Sequence, residues 1–243
     1  MAVMESTDWT LTCGKDPSTQ VLVFLDFQSL AILPPTHELR VLPCEVAAVA
    51  YSLREGIIKK FHSFIDPGPI PLGFRYLCKS TSEFTHQLPL DGPPEGIGDP
   101  GLVANDLLDF IRKSTRKPYV VFCAECEKQK VDYCLQWLSE KTVFPCIAPL
   151  SLQPLLVKYY TQAGAPSPTL YSATQLLSLS TWDFHSKSRC NFHSDIDVKH
   201  CALGTVNRLA YCLSNCLAPI HNITLTSSHI PPIPEASVEQ CVL

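Results

Sequence analysis

The rest of this chain is organised around residues 182–217, WDFHSKSRCNFHSDIDVKHCALGTVNRLAYCLSNCL. Cys190 and His193 form a C-x2-H pair, and Cys201 follows eight residues after the histidine. Two thiolates and an imidazole this close together are typical ligands of a tetrahedral zinc ion. The spacing predicts three ligands of one zinc site and leaves the fourth open. The competing interpretation is that these are ordinary buried thiols, because free cysteine is among the most buried residue types.

The same segment contains a long amphipathic helix. Its apolar residues recur at three- and four-residue steps and form one buried stripe: Val198, Ala202, Val206, Leu209, Leu213 and Leu217. Asp195 or Asp197 is predicted to cap the helix, because a short carboxylate accepts unpaired backbone N–H groups. Cys212 follows Cys201 on this helix at a distance of about 16 Å, since each residue rises ~1.5 Å. Cys212 therefore cannot bind the same metal ion.

The composition of the 243 residues indicates a folded protein with a large core. Hydrophobic residues make up 46% and charged residues 17%, which argues against global disorder. The net charge is −4, so any contact with nucleic acid must use a local basic patch. The sequence has neither an apolar run that could span a membrane nor a signal-peptide pattern at its start. Without secretion, the 12 cysteines are expected to be thiols or metal ligands rather than disulfides.

Hydrophobic patterns along the chain alternate between strands and helices. The predicted strands are residues 21–27, 45–52, 57–65, 118–123 and 143–147. Helices are predicted around residues 103–111 and 131–138, from Ser151, from a capping box at Ser172 and in the segment described above, while residues 29–43 and 69–101 are predicted loops. The domain is assigned to residues 20–217, between a leader at 1–19 and a Pro-rich tail at 218–243. A mixed sheet covered on both faces by helices would bury these elements.

Several stretches of the sequence are similar to known proteins. Residues 45–69, EVAAVAYSLREGIIKKFHSFIDPGP, resemble the second and third strands of DEDDh exonucleases, which have a ribonuclease-H-like sheet. Together, LPCEVAAVAYSLREG, FHSFIDPGPIPLGFR, WDFHSKSRCNFH and CALGTVNRLAYCLSN resemble the MAEL domain of the Maelstrom family. The resemblance covers residues 21–217. It implies an α/β fold with a ribonuclease-H-like mixed five-stranded sheet and helices on both faces.

The resemblance also implies a metal site. The family's Glu-Cys-His-Cys zinc motif falls on Glu45, Cys190, His193 and Cys201, so Glu45 would be the fourth ligand of a structural zinc. Maelstrom proteins usually begin with an HMG box; this chain contains none, which predicts a fragment, an isoform or a divergent relative. The family further implies a germline and meiotic role in transposon silencing with piRNA-pathway proteins. Its expected location is the cytoplasm, in perinuclear germ granules (nuage), and the nucleus.

The residues of a DEDDh nuclease site are incomplete in this sequence. Asp26 stands where DEDDh nucleases have the Asp of an Asp-x-Glu motif, but Gln28 replaces the Glu. The region of the second Asp offers only Glu125 and Glu127, and no Asp follows His200 at the family's spacing. Two-metal catalysis needs several carboxylates around two cations. The sequence therefore predicts that the ordinary nuclease site is broken.

A local surface near Cys190 is predicted to bind RNA. Lys187 and Arg189 are the candidate cations for phosphates, with three aromatic residues close in sequence: Trp182, Phe184 and Phe192. Unpaired bases stack on aromatic faces, so single strands are expected to bind better than duplexes. The competing interpretation is that the aromatics belong to the core and the cations are solvated. Lys59, Lys60 and the basic cluster at 112–117 are the next candidates.

Three functions are compatible with these features. The first is a zinc-stabilised domain that binds single-stranded RNA in the piRNA pathway, with at most weak endoribonuclease activity that does not use the DEDDh residues. The second is an active metal-dependent 3′–5′ exonuclease using Asp26, Glu125 and His200. The third is a protein-interaction scaffold without RNA contact. Mg²⁺-dependent trimming of RNA separates the second from the others, and salt-dependent RNA binding separates the first from the third.

Overall fold

A mixed five-stranded sheet forms the centre of the fold. The computed structural model describes residues 16–92, 94, 98–115, 119–185 and 187–232. The strands are β1 (Leu22–Ile32), β2 (Val41–Ser52), β3 (Gly56–Phe64), β4 (Phe122–Cys123) and β5 (Leu150–Ser151). Their order is β3-β2-β1-β4-β5, with β1, β2 and β3 antiparallel and β1, β4 and β5 parallel. This is a ribonuclease-H-like arrangement, and the predicted fold class is confirmed.

Helices cover both faces of the sheet. In the described residues they are α1 (Arg75–Phe84), α2 (Pro100–Ser114), α3 (Lys128–Lys141), α4 (Leu152–Gln162), α5 (Leu170–Leu177), α6 (Asn191–Asp195) and α7 (Ala202–His221). Because strand side chains alternate, Val46 and Ala48 of β2 pack towards α2 and α3, whereas Ala47 and Val49 pack towards α4, α5 and α7. None of the described helices is long and apolar enough to cross a membrane.

Two element predictions are wrong for identifiable reasons. Residues 143–147 form no strand, and the fifth strand is Leu150–Ser151 instead. The apolar run at 143–147 contains Pro145, which lacks the N–H group that a sheet ladder needs. The predicted loop at 69–101 contains helix α1, which buries only Cys78 and Ser82 and so lacks an apolar stripe.

The ends of four other elements differ from the predictions. Strand β1 continues to Ile32 and β2 begins at Val41, because their pairing resumes beyond irregularities around Ser29. Strand β4 is confined to Phe122–Cys123, and residue 118, the first of the predicted strand, lies outside the described residues. Helix α5 is capped by Thr169 rather than opened by the box at Ser172.

Helix α7 begins later than the sequence pattern indicates. Its N-cap is Cys201, whose Sγ accepts a hydrogen bond from the Gly204 N–H at 3.4 Å. The predicted caps are wrong: Asp195 ends the separate helix α6, and Asp197 has a left-handed φ of 52°. This left-handed residue separates the two helices, so Val198 lies before α7 and not on its buried stripe.

Part of the stretch assigned to a peripheral tail is integrated into the domain. Helix α7 continues to His221, and residues 226–230 then pack on the hairpin between β2 and β3. The Ile57 N–H donates to Ser228 O at 2.8 Å. Gly56 permits this approach, since a Cβ at that position would lie 2.4 Å from Ser228 O. Residues 1–15 of the predicted leader and 233–243 of the predicted tail lie outside the described residues.

Candidate metal centre and nucleic-acid surface

Four potential metal ligands converge between β2 and the N-terminus of α7. Glu45, Cys190, His193 and Cys201 are all buried, and their ligand atoms lie within 4.8 Å of one another. Strand β2 supplies Glu45, helix α6 carries His193 with Cys190 as its N-cap, and Cys201 caps α7. The structure thus brings together the three residues found by spacing and the Glu45 implied by family resemblance.

The distances within the cluster suit a tetrahedral ion. Cys190 Sγ lies 3.1 Å from His193 Nδ1, and Cys201 Sγ lies 3.3 Å from Glu45 Oε1. Glu45 Oε1 lies 3.5 Å from His193 Nδ1. With metal–ligand bonds of ~2.0–2.3 Å, the edges of a zinc tetrahedron are about 3.5 Å long. Two thiols, an imidazole and a carboxylate are also donor types that zinc binds, so this group of residues fits zinc.

Hydrogen bonds around the cluster orient its ligands. The Nε2 atom of His193 lies 2.8 Å from the backbone oxygen of His86 and donates to it, so Nδ1 is the nitrogen that would bind a metal ion in place of a proton. The backbone N–H groups of Cys190 and Gly204 both approach Cys201 Sγ at 3.4 Å. Two N–H donors and the start of a helix favour a thiolate at Cys201 once a metal ion binds.

Glu45 is held as a carboxylate although it is fully buried. Its Oε2 atom accepts from the Ala202 N–H at 2.9 Å, and His62 Nε2 on the edge strand lies 2.8 Å from Oε1. Burial acts to raise the pKa of Glu45, but hydrogen bonds with His193 and His62 outweigh it and hold that pKa well below its usual range. Glu45 therefore joins β2 to α7 as an anionic group.

Arg189 stabilises the ligand-bearing loop. Its side chain is buried, with 7% of the residue exposed. The guanidinium donates at 3.0–3.4 Å to three backbone oxygens and one carboxylate, those of Phe184, His193, Val198 and Asp197. The structure therefore does not favour Arg189 as an RNA-contacting cation. Backbone carbonyl groups around Arg189 hold its side chain inside the loop, and the sequence pattern does not reveal these contacts.

Lys187 lies on the surface beside a second lysine. Lys60 Nζ, on the edge strand β3, donates to Lys187 O at 3.4 Å. Partial burial and the positive charge of Lys187 both lower the pKa of Lys60. Two mutually repelling ammonium groups favour an anion between them. The sequence alone makes Lys60 only a secondary candidate for RNA binding. Its proximity to Lys187 depends on strand β3 packing beside the loop that contains Cys190.

Only one of the three predicted stacking aromatics is accessible. Trp182 is buried in the main core, and Phe192 is half-buried with its ring against Phe64 at 6.0 Å. Phe184 is 56% exposed, and the Arg189 guanidinium carbon lies 5.0 Å from its ring centroid. A cation behind one face of an aromatic ring restrains the ring and leaves its other face free. Phe184 is therefore the stacking candidate.

The remnant nuclease residues lie around a lysine that sequence analysis did not identify. Lys130 Nζ lies 3.3 Å from Asp26 Oδ1 and 2.8 Å from Glu127 Oε2. Burial raises the pKa of Asp26 to about 6 even though Lys130 opposes that shift. Glu125 is exposed and contacts the Ser151 hydroxyl instead. Asp26 therefore has an ammonium partner where a nuclease would place a metal ion.

A ribonuclease-H-like sheet that carries a buried Glu-Cys-His-Cys cluster defines an α/β domain with a candidate structural metal centre. A family model matches residues 36–236, and that family is Maelstrom, described as a piRNA pathway germ-plasm component. The chain belongs to the Maelstrom family.

Curated relatives from vertebrates agree with this assignment. The protein maelstrom homolog of Xenopus tropicalis is 36% identical over 234 residues, which cover 96% of this chain and 56% of the relative. The homologs of Sus scrofa and Homo sapiens are 36% and 35% identical over 212 residues, covering 87% of this chain and 49% of each relative. The chain therefore spans about half the length of the curated relatives it matches.

Proposed function

We propose that this chain is a zinc-stabilised domain that binds single-stranded RNA within the germline piRNA pathway. The single observation that carries the zinc assignment is the buried convergence of Glu45, Cys190, His193 and Cys201. Four protein ligands complete a tetrahedral set, as in structural zinc sites, whereas catalytic zinc keeps a position for water. The ion would hold β2, α6 and α7 together and would take no part in a reaction.

The proposed RNA surface consists of Lys60, Lys187 and Phe184. The two ammonium groups offer contacts to phosphate oxygens, and the exposed ring of Phe184 offers a face on which an unpaired base can stack. Arg189 supports the surface from behind through its contacts with the loop. A duplex keeps its bases stacked on one another, so this surface should prefer single strands.

The family assignment supports the biological part of the proposal. Membership in a family described as a piRNA pathway germ-plasm component favours a role in transposon silencing in germ cells, in cytoplasmic germ granules and the nucleus. Its protein partners would be other proteins of the piRNA pathway. Any weak RNA cleavage would have to use groups other than a two-metal site at Asp26, because Lys130 pairs with that carboxylate.

The RNA proposal is tested by reversing two charges. A Lys60→Glu, Lys187→Glu double variant, shown to retain zinc and its circular dichroism spectrum, should bind single-stranded RNA at least ~10-fold more weakly. The slope of log affinity against log salt should fall by more than one unit, because two phosphate contacts are lost. Phe184→Ala should weaken binding while leaving that slope unchanged, since stacking releases no counterions.

A charge-matched control distinguishes a local site from a general charge effect. Lys79 and Lys141 are exposed on α1 and at the C-terminal end of α3, so Lys79→Glu, Lys141→Glu changes net charge equally at other positions. This control should bind RNA nearly as well as wild type. Equal losses in both double variants, or unchanged affinity in the Lys60, Lys187 variant, would show that the proposed surface is not the RNA site. Mg²⁺-dependent trimming of the same RNA would support the exonuclease alternative.

A further inference from the structure

We propose that Lys130 is the residue that keeps divalent cations out of the centre of the sheet, because its ammonium group occupies the place between Asp26 and Glu127 that a metal ion would take. The inference concerns the nuclease-like centre alone. It does not depend on RNA binding.

The three side chains form a compact charge cluster with graded exposure. Asp26 projects from β1 with 2% of its side chain exposed, Lys130 comes from the first turn of α3 with 14%, and Glu127 precedes that helix with 35%. The ammonium nitrogen lies 3.3 Å from an Asp26 oxygen and 2.8 Å from a Glu127 oxygen. One cation of the chain thus contacts both carboxylates.

The position of this nitrogen conflicts with metal binding at Asp26. A hard divalent cation binds carboxylate oxygens at ~2.0–2.6 Å. An ion bound to Asp26 Oδ1 at ~2.1 Å would therefore lie no more than about 5.4 Å from Lys130 Nζ, which itself is 3.3 Å from that oxygen. Repulsion between a divalent ion and an ammonium is strong at that distance in a poorly solvated site.

Removing the ammonium should make the two carboxylates available. A buried carboxylate without a partner is unfavourable, so Asp26 would either take up a proton or bind a cation that can reach it. The half-exposed Glu127 provides a route from solvent and a second oxygen ligand. Lys130→Met keeps an unbranched apolar side chain of similar length and removes the ammonium group. This variant is expected to gain one divalent-cation site.

The probe is Mn²⁺, whose free concentration is measured by electron paramagnetic resonance in zinc-saturated protein. Lys130→Met should bind one Mn²⁺ at least ~10-fold more tightly than wild type and should melt at a higher temperature when Mn²⁺ is added. Lys128→Met, a control that neutralises another lysine in the first turn of α3, should behave as wild type. Adding Asp26→Asn to Lys130→Met should abolish the gain. A folded Lys130→Met protein without increased Mn²⁺ affinity would overturn the proposal.

If neither Lys130→Met nor a second variant, Lys130→Gln, folds, the wild-type protein provides the test. Mn²⁺ broadens the nuclear magnetic resonance signals of amides near its binding site. In wild-type protein with bound zinc, the signals of Asp26 and its β1 neighbours should stay sharp at Mn²⁺ concentrations that broaden exposed acidic sites. Selective broadening around Asp26 would show that Lys130 does not exclude the ion.

Discussion

Glu45 and Asp26 are buried carboxylates on adjacent strands, but their charges are compensated in different ways. Asp26 pairs across the sheet with Ala47, two residues along β2 from Glu45, so both carboxylates face α7. Asp26 has Lys130, an ammonium group supplied by the chain. Glu45 has two histidines and a cluster of thiols, which offer lone pairs to an external cation. The Asp26 cluster contains its own cation, whereas the Glu45 cluster would link folding to the supply of the zinc ion proposed for it.

The largest expected effect comes from removing a thiol ligand. Cys201→Ser should lose zinc, measured by elemental analysis, and should lose its cooperative thermal transition, because the binding energy of a structural zinc is also folding energy. The matched control is Cys212→Ala, a buried thiol on the same helix outside the cluster. It should retain one zinc ion and cost only about 1 kcal/mol. A Cys201→Ser protein with an unchanged melting temperature would show that no metal ion stabilises the Glu45 cluster.

A smaller, pH-dependent effect is expected at Asp26. Burial raises its pKa from 3.8 to about 6 in the folded protein. The folded state therefore binds this proton more tightly than the unfolded state, so the contribution favours folding at low pH and is lost as pH rises through about 6. Between pH 5 and pH 7.5, wild type should lose about 1 kcal/mol of stability relative to Asp26→Asn. Urea unfolding of both proteins at both pH values measures this difference, and a constant difference would contradict the raised pKa.

The smallest expected effect is at Glu127. This carboxylate is 35% exposed and pairs with Lys130 three residues along the chain. Solvent weakens such a pair, so Glu127→Gln should cost about 0.5 kcal/mol in urea unfolding at pH 7. A loss above about 2 kcal/mol would indicate that Glu127, and not the buried Asp26, is the principal partner of the lysine.

Sequence reasoning predicted best where the determinants are local. The C-x2-H pair and Cys201 lie within twelve residues of one another, and their spacing alone predicted a shared site. Glu45 was assigned only through family resemblance, because no spacing rule connects this residue with a helix that begins 157 residues later. The strands were recognised from apolar runs, but their ends depend on pairing with neighbours that a linear pattern does not contain.

Buried charged side chains were the part that the sequence could not reveal. Lys130 stands among the polar residues at the start of α3, and only the packing of that helix on β1 brings it to Asp26. Arg189 resembles a solvated loop cation until the loop folds and its carbonyl groups turn inwards. In both cases, the partner atoms come from tertiary structure, whereas sequence patterns assign charged residues to the surface.

The contact between Glu45 and Cys201 also has a consequence for protein synthesis. Their side chains lie 3.3 Å apart but are separated by 156 positions in the chain. At the ~5–20 residues per second of translation, roughly 8–30 s pass between the emergence of the two residues from the ribosome. During that interval β2 has left the ribosome without the helix that covers it. The four-ligand cluster can assemble only when nearly the whole domain has been made, so a nascent chain must keep this apolar strand from aggregating before any metal ion can help.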